Sequence, residues 1–476
     1  MIRIITDKDI FEYDIRGLVG AFFRGEELTY EAEGSAASGD DAKRLLINWH
    51  DKEVTVTFEG ESCVRSFDPE IRVSAKSAVK QAIYSCLSEY TGQKLPWGAL
   101  TGIRPTKLAM ADLEKGLDDE KIIFHMQDEY LVSPSKAALA LDIAKREKSL
   151  LSKLDYENGY SLYIGIPFCP TTCLYCSFTS YPIRAYAGQV DRYLDCLEKE
   201  LLYTADAFKE KKLNTIYVGG GTPTTLEPAQ LDRLCGIIER NFDLSGCLEF
   251  TIEAGRPDSI TKEKLEAIKR HPVDRISINP QTMKQKTLDI IGRHHTVEDT
   301  LNTYALAREM GFDNINMDLI MGLPDETIDD AKMTMEKVCE LRPDNLTVHS
   351  LALKRTSRLN LEHEDYEKYR YENTNAQMEL TAEYAASIGL YPYYLYRQKN
   401  MAGNLENVGY AAQGKAGLYN ILIMEEKQSI VACGAGSISK GVFAGNRIER
   451  AENVKNIEQY MDRIDEMIER KRVLFS

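Results

Sequence analysis

The first 90 or so residues carry the pattern of a small mixed α/β unit. Glu53-Val-Thr-Val-Thr-Phe58 alternates polar and apolar positions with period two, which predicts a half-buried strand. Ser74 to Tyr90 spaces its apolar residues as one face of a helix does. Leu95-Pro-Trp-Gly-Ala-Leu-Thr-Gly-Ile-Arg-Pro-Thr-Lys107 is rich in turn formers and reads as irregular; Arg104 and Lys107 are expected on a solvated turn, with contact to carboxylates of an anionic ligand as the alternative. Helical segments are expected from about Lys107 to Leu154.

From Gly159 the pattern changes to alternating strands and helices. Apolar strand candidates start near Tyr160, Asn214, Leu248, Arg275, Asn314 and Asn345. Amphipathic runs of helical length lie between them, such as Val190–Phe208 and Ala229–Phe242. Thr296-Val-Glu-Asp and Thr327-Ile-Asp-Asp open two of these helices with a capping pattern. Such alternation predicts parallel βαβ units, in a doubly wound sheet or a partial barrel. Either architecture gathers functional residues at the C-terminal ends of its strands. The tail adds Val431-Ala-Cys-Gly-Ala-Gly-Ser-Ile-Ser439 and an expected amphipathic helix, Asn453–Arg470. No internal repeat or low-complexity stretch is present.

The chain has 476 residues, 43% apolar and 28% charged. That suits a globular protein of more than one unit, with a substantial core. A net charge of -15 repels nucleic acid, so no such partner is expected, although a local basic pocket for an anionic substrate remains allowed. No run of about 18 apolar residues predicts a membrane span. The start, Met1-Ile-Arg-Ile-Ile-Thr-Asp-Lys8, becomes charged too early for a signal peptide. A cytoplasmic location with reduced thiols is therefore expected, and the ten cysteines are not a disulfide framework. Seven stand singly (Cys63, Cys86, Cys196, Cys235, Cys247, Cys339 and Cys433) and are expected to pack as small buried apolar groups.

The other three, Cys169, Cys173 and Cys176, follow the first strand of the alternating region with the spacing C-x3-C-x2-C. Three thiolates on one short loop suit three corners of an iron–sulfur cube, whose sites usually have four cysteines. The missing fourth ligand leaves one iron open to substrate, as an open position does on a catalytic metal. Structural zinc is the rival reading. It needs a fourth Cys or His, yet the next cysteine is Cys196 and no histidine lies between His125 and His271. Three packed thiols are the third.

Further motifs fall at predicted strand ends. Val218-Gly-Gly-Gly-Thr-Pro-Thr224 follows the second strand; its glycines let backbone approach a ligand, and Thr222 adds a hydroxyl. Glu253 and Asp318 sit among apolar residues, where a carboxylate needs a partner or a ligand. Gln281 places an amide after the fourth strand, and Arg293 is suited to two-pronged pairing with a carboxylate. For each, a structural ion pair or hydrogen bond is the alternative.

With these motifs in place, the chain resembles the radical SAM superfamily, whose open iron binds S-adenosylmethionine (SAM). Within it, the stretch from about Tyr160 to Ser439 resembles oxygen-independent coproporphyrinogen III oxidase and its relatives. The Leu95–Lys107 segment is similar to the HemZ-type coproporphyrinogen dehydrogenases. The resemblance implies a partial (β/α)6 barrel, with an N-terminal mixed α/β domain and a short C-terminal extension. The expected boundaries are 1–92, a helical connector 93–158, a core 159–400 and an extension 401–476. The implied cofactors are a [4Fe–4S] cluster and one or two SAM molecules. Cys169, Cys173 and Cys176 match the cluster ligands. Tyr163, Gly220, Glu253 and Ile438 match positions contacting the SAM on the cluster, with Tyr163 grouped with the catalytic set. Tyr175, Gly221, Thr222, Gln281, Arg293, Asp318 and Ala352 match positions around a second SAM.

The implied reaction is oxidative decarboxylation of coproporphyrinogen III to protoporphyrinogen IX. A reductant such as flavodoxin or ferredoxin would serve it, and a monomer is expected. Arg293, Lys354, Arg355 and Arg358 are candidate partners for the substrate carboxylates. Three departures stand out. Phe178 replaces a cysteine of the oxidase, as in haem-chaperone relatives, and Gly165 replaces a histidine. The chain runs only 37 residues past Ser439, so a longer C-terminal domain is expected to be reduced, with the N-terminal domain covering the substrate. A haem chaperone and a radical SAM methyltransferase remain alternatives.

Overall fold

The strand at Glu53–Phe58 forms as its alternation predicts, with Val54, Val56 and Phe58 wholly buried. It belongs to a five-stranded sheet of β1 (Ile2–Thr6), β2 (Leu28–Ala32), β3 (Lys43–Trp49), β4 (Glu53–Phe58) and β5 (Glu61–Ser66), in the order β2-β1-β3-β4-β5. Both pairings of β1 are parallel; β3–β4 and β4–β5 are antiparallel. Helices Glu12–Phe22 and Arg72–Thr91 contribute to the same apolar core. Helices Thr106–Glu114, Asp119–Tyr130 and Pro134–Leu151 follow.

The computed structural model describes residues 1–32, 42–102, 104–352, 357–362, 366, 368–371, 373–398 and 404–476. The chain divides into two compact units, Met1–Lys145 with Leu395–Glu406, and Arg146–Tyr394 with Asn407–Ser476. The first therefore runs past the expected boundary at residue 92. One core holds Ile2, Leu95 and Ala99 together. The turn-rich segment also supplies Trp97, which is fully buried and donates from Nε1 to Glu406 Oε2 at 2.7 Å. Lys136 Nζ meets the other oxygen of Glu406 at 2.6 Å. Arg104 and Lys107 are half-buried.

In the second unit, β6 (Gly159–Ile166), β7 (Lys212–Gly220), β8 (Glu249–Glu253), β9 (Arg275–Ser277), β10 (Ile315–Met321) and β11 (Asn345–Ser350) are parallel neighbours in chain order. A doubly wound sheet reverses its strand order midway, whereas this one winds continuously, as a partial barrel does. The capping boxes at Thr296/Asp299 and Thr327/Asp330 both form. Along the strands, Ile164, Val218, Ile252, Ile276, Leu319 and Val348 are wholly buried. Alternate positions (Tyr163, Tyr217, Glu253, Asp318) point to the opposite, interior face because side chains alternate along a strand.

The C-terminal extension adds strands to this sheet. β12 (Tyr391–Tyr396) and β13 (Asn407–Ala411) continue it beyond β11, with β13 antiparallel. On the other side, β14 (Ser429–Cys433) runs parallel to β6, followed by the antiparallel β15 (Ile438–Phe443) and β16 (Arg447–Glu452). The expected Asn453–Arg470 helix is two helices, Ile457–Asp462 and Ile464–Phe475. Asn453 stays out of them because its buried amide bonds Glu200 Oε1 at 2.7 Å and the Gly434 carbonyl at 2.9 Å. Asn456 then caps the first helix. Of the seven single cysteines, Cys86, Cys235 and Cys433 are buried as expected. Cys63, Cys196, Cys247 and Cys339 are only half-buried, and the last three turn their thiols to backbone carbonyls. Among the described residues no helix is long and apolar enough to cross a membrane.

Candidate active site

The cysteine loop is held at its middle and at both sides. Leu174 is buried against Leu288, Ile291 and Leu323. Its N–H donates to the Ile291 carbonyl at 3.0 Å, and its carbonyl accepts from Leu359 at 2.9 Å. That apolar pin leaves Cys173 and the half-buried Cys169 and Cys176 on either side. Thr222 N–H bonds the Phe168 carbonyl at 2.7 Å, and its hydroxyl lies 3.4 Å from Cys169 Sγ. Burial raises the Cys169 thiol's pKa, against the Thr222 hydrogen bond.

The glycine run after β7 is needed for this approach. A Cβ on Gly221 would stand 2.5 Å from the Phe168 carbonyl oxygen and 2.8 Å from that of Ile166. Gly220 has φ +104°, which L side chains rarely adopt, and a Cβ there would lie 3.2 Å from the Tyr163 hydroxyl. Tyr163, Tyr217 and Tyr419 form a stack, with Tyr217 and Tyr419 centroids 4.5 Å apart. Tyr217 donates to Glu253 Oε1 at 2.6 Å. Burial pushes the Glu253 carboxyl up to about 7; the Tyr217 bond pulls down and the Asp318 charge adds to the rise.

A third group lies on β9 and β10. Gln281 is buried in the left-handed region at φ 66°, where a non-glycine residue is uncommon. Its backbone is fixed from both sides, by the Asp318 carbonyl and the Ile320 N–H, each at 2.9 Å. Asp318 Oδ1 accepts from Asn316 at 2.8 Å, and His349 stands 3.9 Å from Oδ2. Burial raises this carboxyl, but His349 and Asn316 outweigh it and the net direction is down.

Arg293 is buried and donates to the carbonyls of Asn279 and Gly255, so it is not a free two-pronged fork. Its Nε has no hydrogen-bond partner among the described residues. Burial lowers its pKa, while neighbouring Tyr175 and Cys173 raise it more. Of the other proposed carboxylate partners, Arg358 is taken by Glu362 at 3.0 Å. Lys354 and Arg355 lie outside the described residues. Ala352 is half-buried just past β11, and Ile438 is exposed at the start of β15. Phe178 is 69% exposed beside the cysteine loop.

Several residues of the site escaped the sequence reading. Arg256 and Asp258 follow Glu253 at a strand end, so the signal that selected Glu253 was available for them. Tyr217 lies two residues before Gly219, on the face of the glycine run. Tyr419 comes from a distant helix and has no such signal.

Cys169, Cys173 and Cys176 supply the donor set of a cube-shaped cluster with one ligand short, although among the described residues no three His, Cys, Asp or Glu side chains are already drawn together around a metal position. Three thiolates come from one pinned loop, and Gly221 lets the strand-end backbone close on that loop. SAM suits the rest of the donor set: a stacked tyrosine wall, a buried carboxylate at Glu253 and backbone exposed at Gly220.

Residues 163–338 match the family model described as the radical SAM superfamily. The chain is 38% identical over 473 residues to the oxygen-independent coproporphyrinogen-III oxidase-like protein HemZ of Bacillus subtilis, covering 96% of this chain and 94% of that one. It is 33% identical over 316 residues to the heme chaperone HemW of the same organism, covering 64% of this chain and 76% of that one. Among solved structures, coproporphyrinogen III oxidase (HemN) from Escherichia coli, a radical SAM enzyme, shares its fold. The TM-score is 0.53 at 24% identity, over 67% of this chain and 73% of that one.

Proposed function

The chain belongs to the radical SAM superfamily, in the branch of oxygen-independent coproporphyrinogen III oxidase and its relatives, and within that branch we propose that it converts coproporphyrinogen III to protoporphyrinogen IX. Each of two propionate side chains loses a hydrogen atom from its β-carbon, its carboxylate as CO2, and one electron to an acceptor, leaving a vinyl group. The family's cofactors are a [4Fe–4S] cluster and SAM, and together they supply the radical that takes the hydrogen atom.

The observation that carries this reading is the match to an oxidase-like relative along 96% of the chain, N-terminal unit included. The residues of the site take the following parts. Cys169, Cys173 and Cys176 hold the cluster. Gly220 and Gly221 let the backbone close on it. Tyr163 and Glu253 orient SAM, with Tyr217 fixing the carboxyl of Glu253. Gly220 and Ile438 contact the same SAM, and Tyr175, Gly221, Thr222, Gln281, Arg293, Asp318 and Ala352 would surround a second SAM. A low-potential reductant such as flavodoxin or ferredoxin, a cytoplasmic location and a monomeric state complete the proposal.

A second reading, a haem chaperone that binds haem without decarboxylation, is favoured by the exposed Phe178 and by the likeness to HemW. An anaerobic assay with reconstituted protein, SAM, a reductant and coproporphyrinogen III, paired with a haem titration of the same protein, separates the two. Protoporphyrinogen and CO2 support the oxidase. Stable haem binding without turnover supports the chaperone and overturns the oxidase reading. A methylated product would overturn both in favour of a methyltransferase.

A further inference from the structure

Arg256 lies just beyond the C-terminal end of β8, in Glu253-Ala-Gly-Arg-Pro-Asp258, and only 3% of its surface is exposed. Its guanidinium is gripped by Asp258, from Nε to Oδ1 at 2.8 Å and from Nη2 to Oδ2 at 2.6 Å. Its other donations all go to the cysteine loop. Nη2 reaches the Thr171 hydroxyl at 3.1 Å, and Nη1 reaches the Thr171 carbonyl at 3.4 Å and Cys173 Sγ at 3.3 Å. The Thr171 hydroxyl in turn donates to the Gly292 carbonyl at 3.2 Å. A guanidinium has five N–H donors, and these contacts use all of them. None is left for a substrate carboxylate.

We propose that Arg256 is a positioning residue: clamped by Asp258, it fixes the Cys173 thiolate and raises the reduction potential of the cluster held by that loop. A cation and an N–H donor at a cluster sulfur stabilise the more negative, reduced state, and hydrogen bonds to cluster sulfurs are an established lever on potential. Asp258 makes the lever rigid, because a bidentate carboxylate orients the guanidinium plane. The inference rests on Cys173 being a cluster ligand.

The test compares anaerobically reconstituted full-length protein with its Arg256→Lys, Arg256→Gln, Asp258→Glu and Cys173→Ala variants. The readouts are iron and sulfide content and the midpoint potential from an EPR-monitored titration. Arg256→Gln is expected to keep its cluster and to titrate at a more negative potential. Arg256→Lys should restore part of the shift, since the charge remains while the fork is lost. Asp258→Glu keeps the charge but displaces the fork, and should fall between Arg256→Gln and the parent protein. An unchanged potential in Arg256→Gln with full cluster content overturns the proposal. If Arg256→Gln loses its cluster, Asp258→Glu decides: an unchanged potential there overturns it equally, and a negative shift supports it. Full cluster content in Cys173→Ala would instead overturn the ligand assignment itself.

Discussion

Tyr217 and Glu253, on neighbouring parallel strands, are joined by a 2.6 Å hydrogen bond at the mouth of the barrel. The bond holds down a carboxyl that burial drives up to about 7. It leaves Glu253 within reach of both protonation states near neutral pH.

An acid whose folded pKa is raised contributes stability that is fully present below its unfolded pKa, about 4.3, and is lost as pH rises through the folded value, about 7 here. Glu253→Gln removes that dependence. Thermal melts from about pH 5 to about pH 8 should show the variant gaining on the parent protein as pH rises, by on the order of 2 kcal/mol. A difference that stays constant across the range would refute the assignment.

Tyr217→Phe deletes the donor and lets burial push Glu253 higher still. If Glu253 holds SAM as a carboxylate, binding near neutral pH should weaken roughly tenfold, the loss expected for one hydrogen bond to a charged group. Calorimetric titration with SAM checks this, and the acid limb of binding should move to higher pH.

Gly221→Ala places a Cβ 2.5 Å from the Phe168 carbonyl oxygen. The cysteine loop must shift to admit it, at a cost of about 1–3 kcal/mol. Iron content after reconstitution should fall well below that of the parent protein. Each of Cys169, Cys173 and Cys176 changed to alanine should abolish cluster binding, whereas Cys196→Ser should retain it. Loss of metal in Cys196→Ser would revive the zinc reading.

Glu406 carries a buried ion pair with Lys136 and accepts from Trp97. Removing one partner of such a pair leaves an uncompensated buried charge, at a cost of about 3–5 kcal/mol. Glu406→Ala should lower the unfolding midpoint of the first unit in urea, followed by the fluorescence of Trp49 and Trp97, both in that unit. Retained stability would mean that the pair is dispensable.

Local pattern carried the reading of elements far. Period-two alternation marked β4, capping residues marked the helices after Thr296 and Thr327, and the six barrel strands begin within two residues of their expected starts. The tail departs from its expected single helix because spacing between Asn453 and Arg470 is helical while the Asn453 amide is claimed by Glu200, more than 250 residues away in sequence. No periodicity encodes a partner at that distance. The same holds for Arg293, whose guanidinium is spent on the carbonyls of Asn279 and Gly255.

The sequence by itself determined the chemistry available: three thiolates at fixed spacing, a glycine run and a carboxylate, each at a strand end, because those are properties of local residue order. Tertiary structure alone decided which side chains meet. It decided that six strands wind in order rather than reverse, because that depends on crossover direction. Tyr419 stacks on Tyr163 and Tyr217, and Trp97 shares Glu406 with Lys136, because packing joins residues that the chain separates by hundreds of positions.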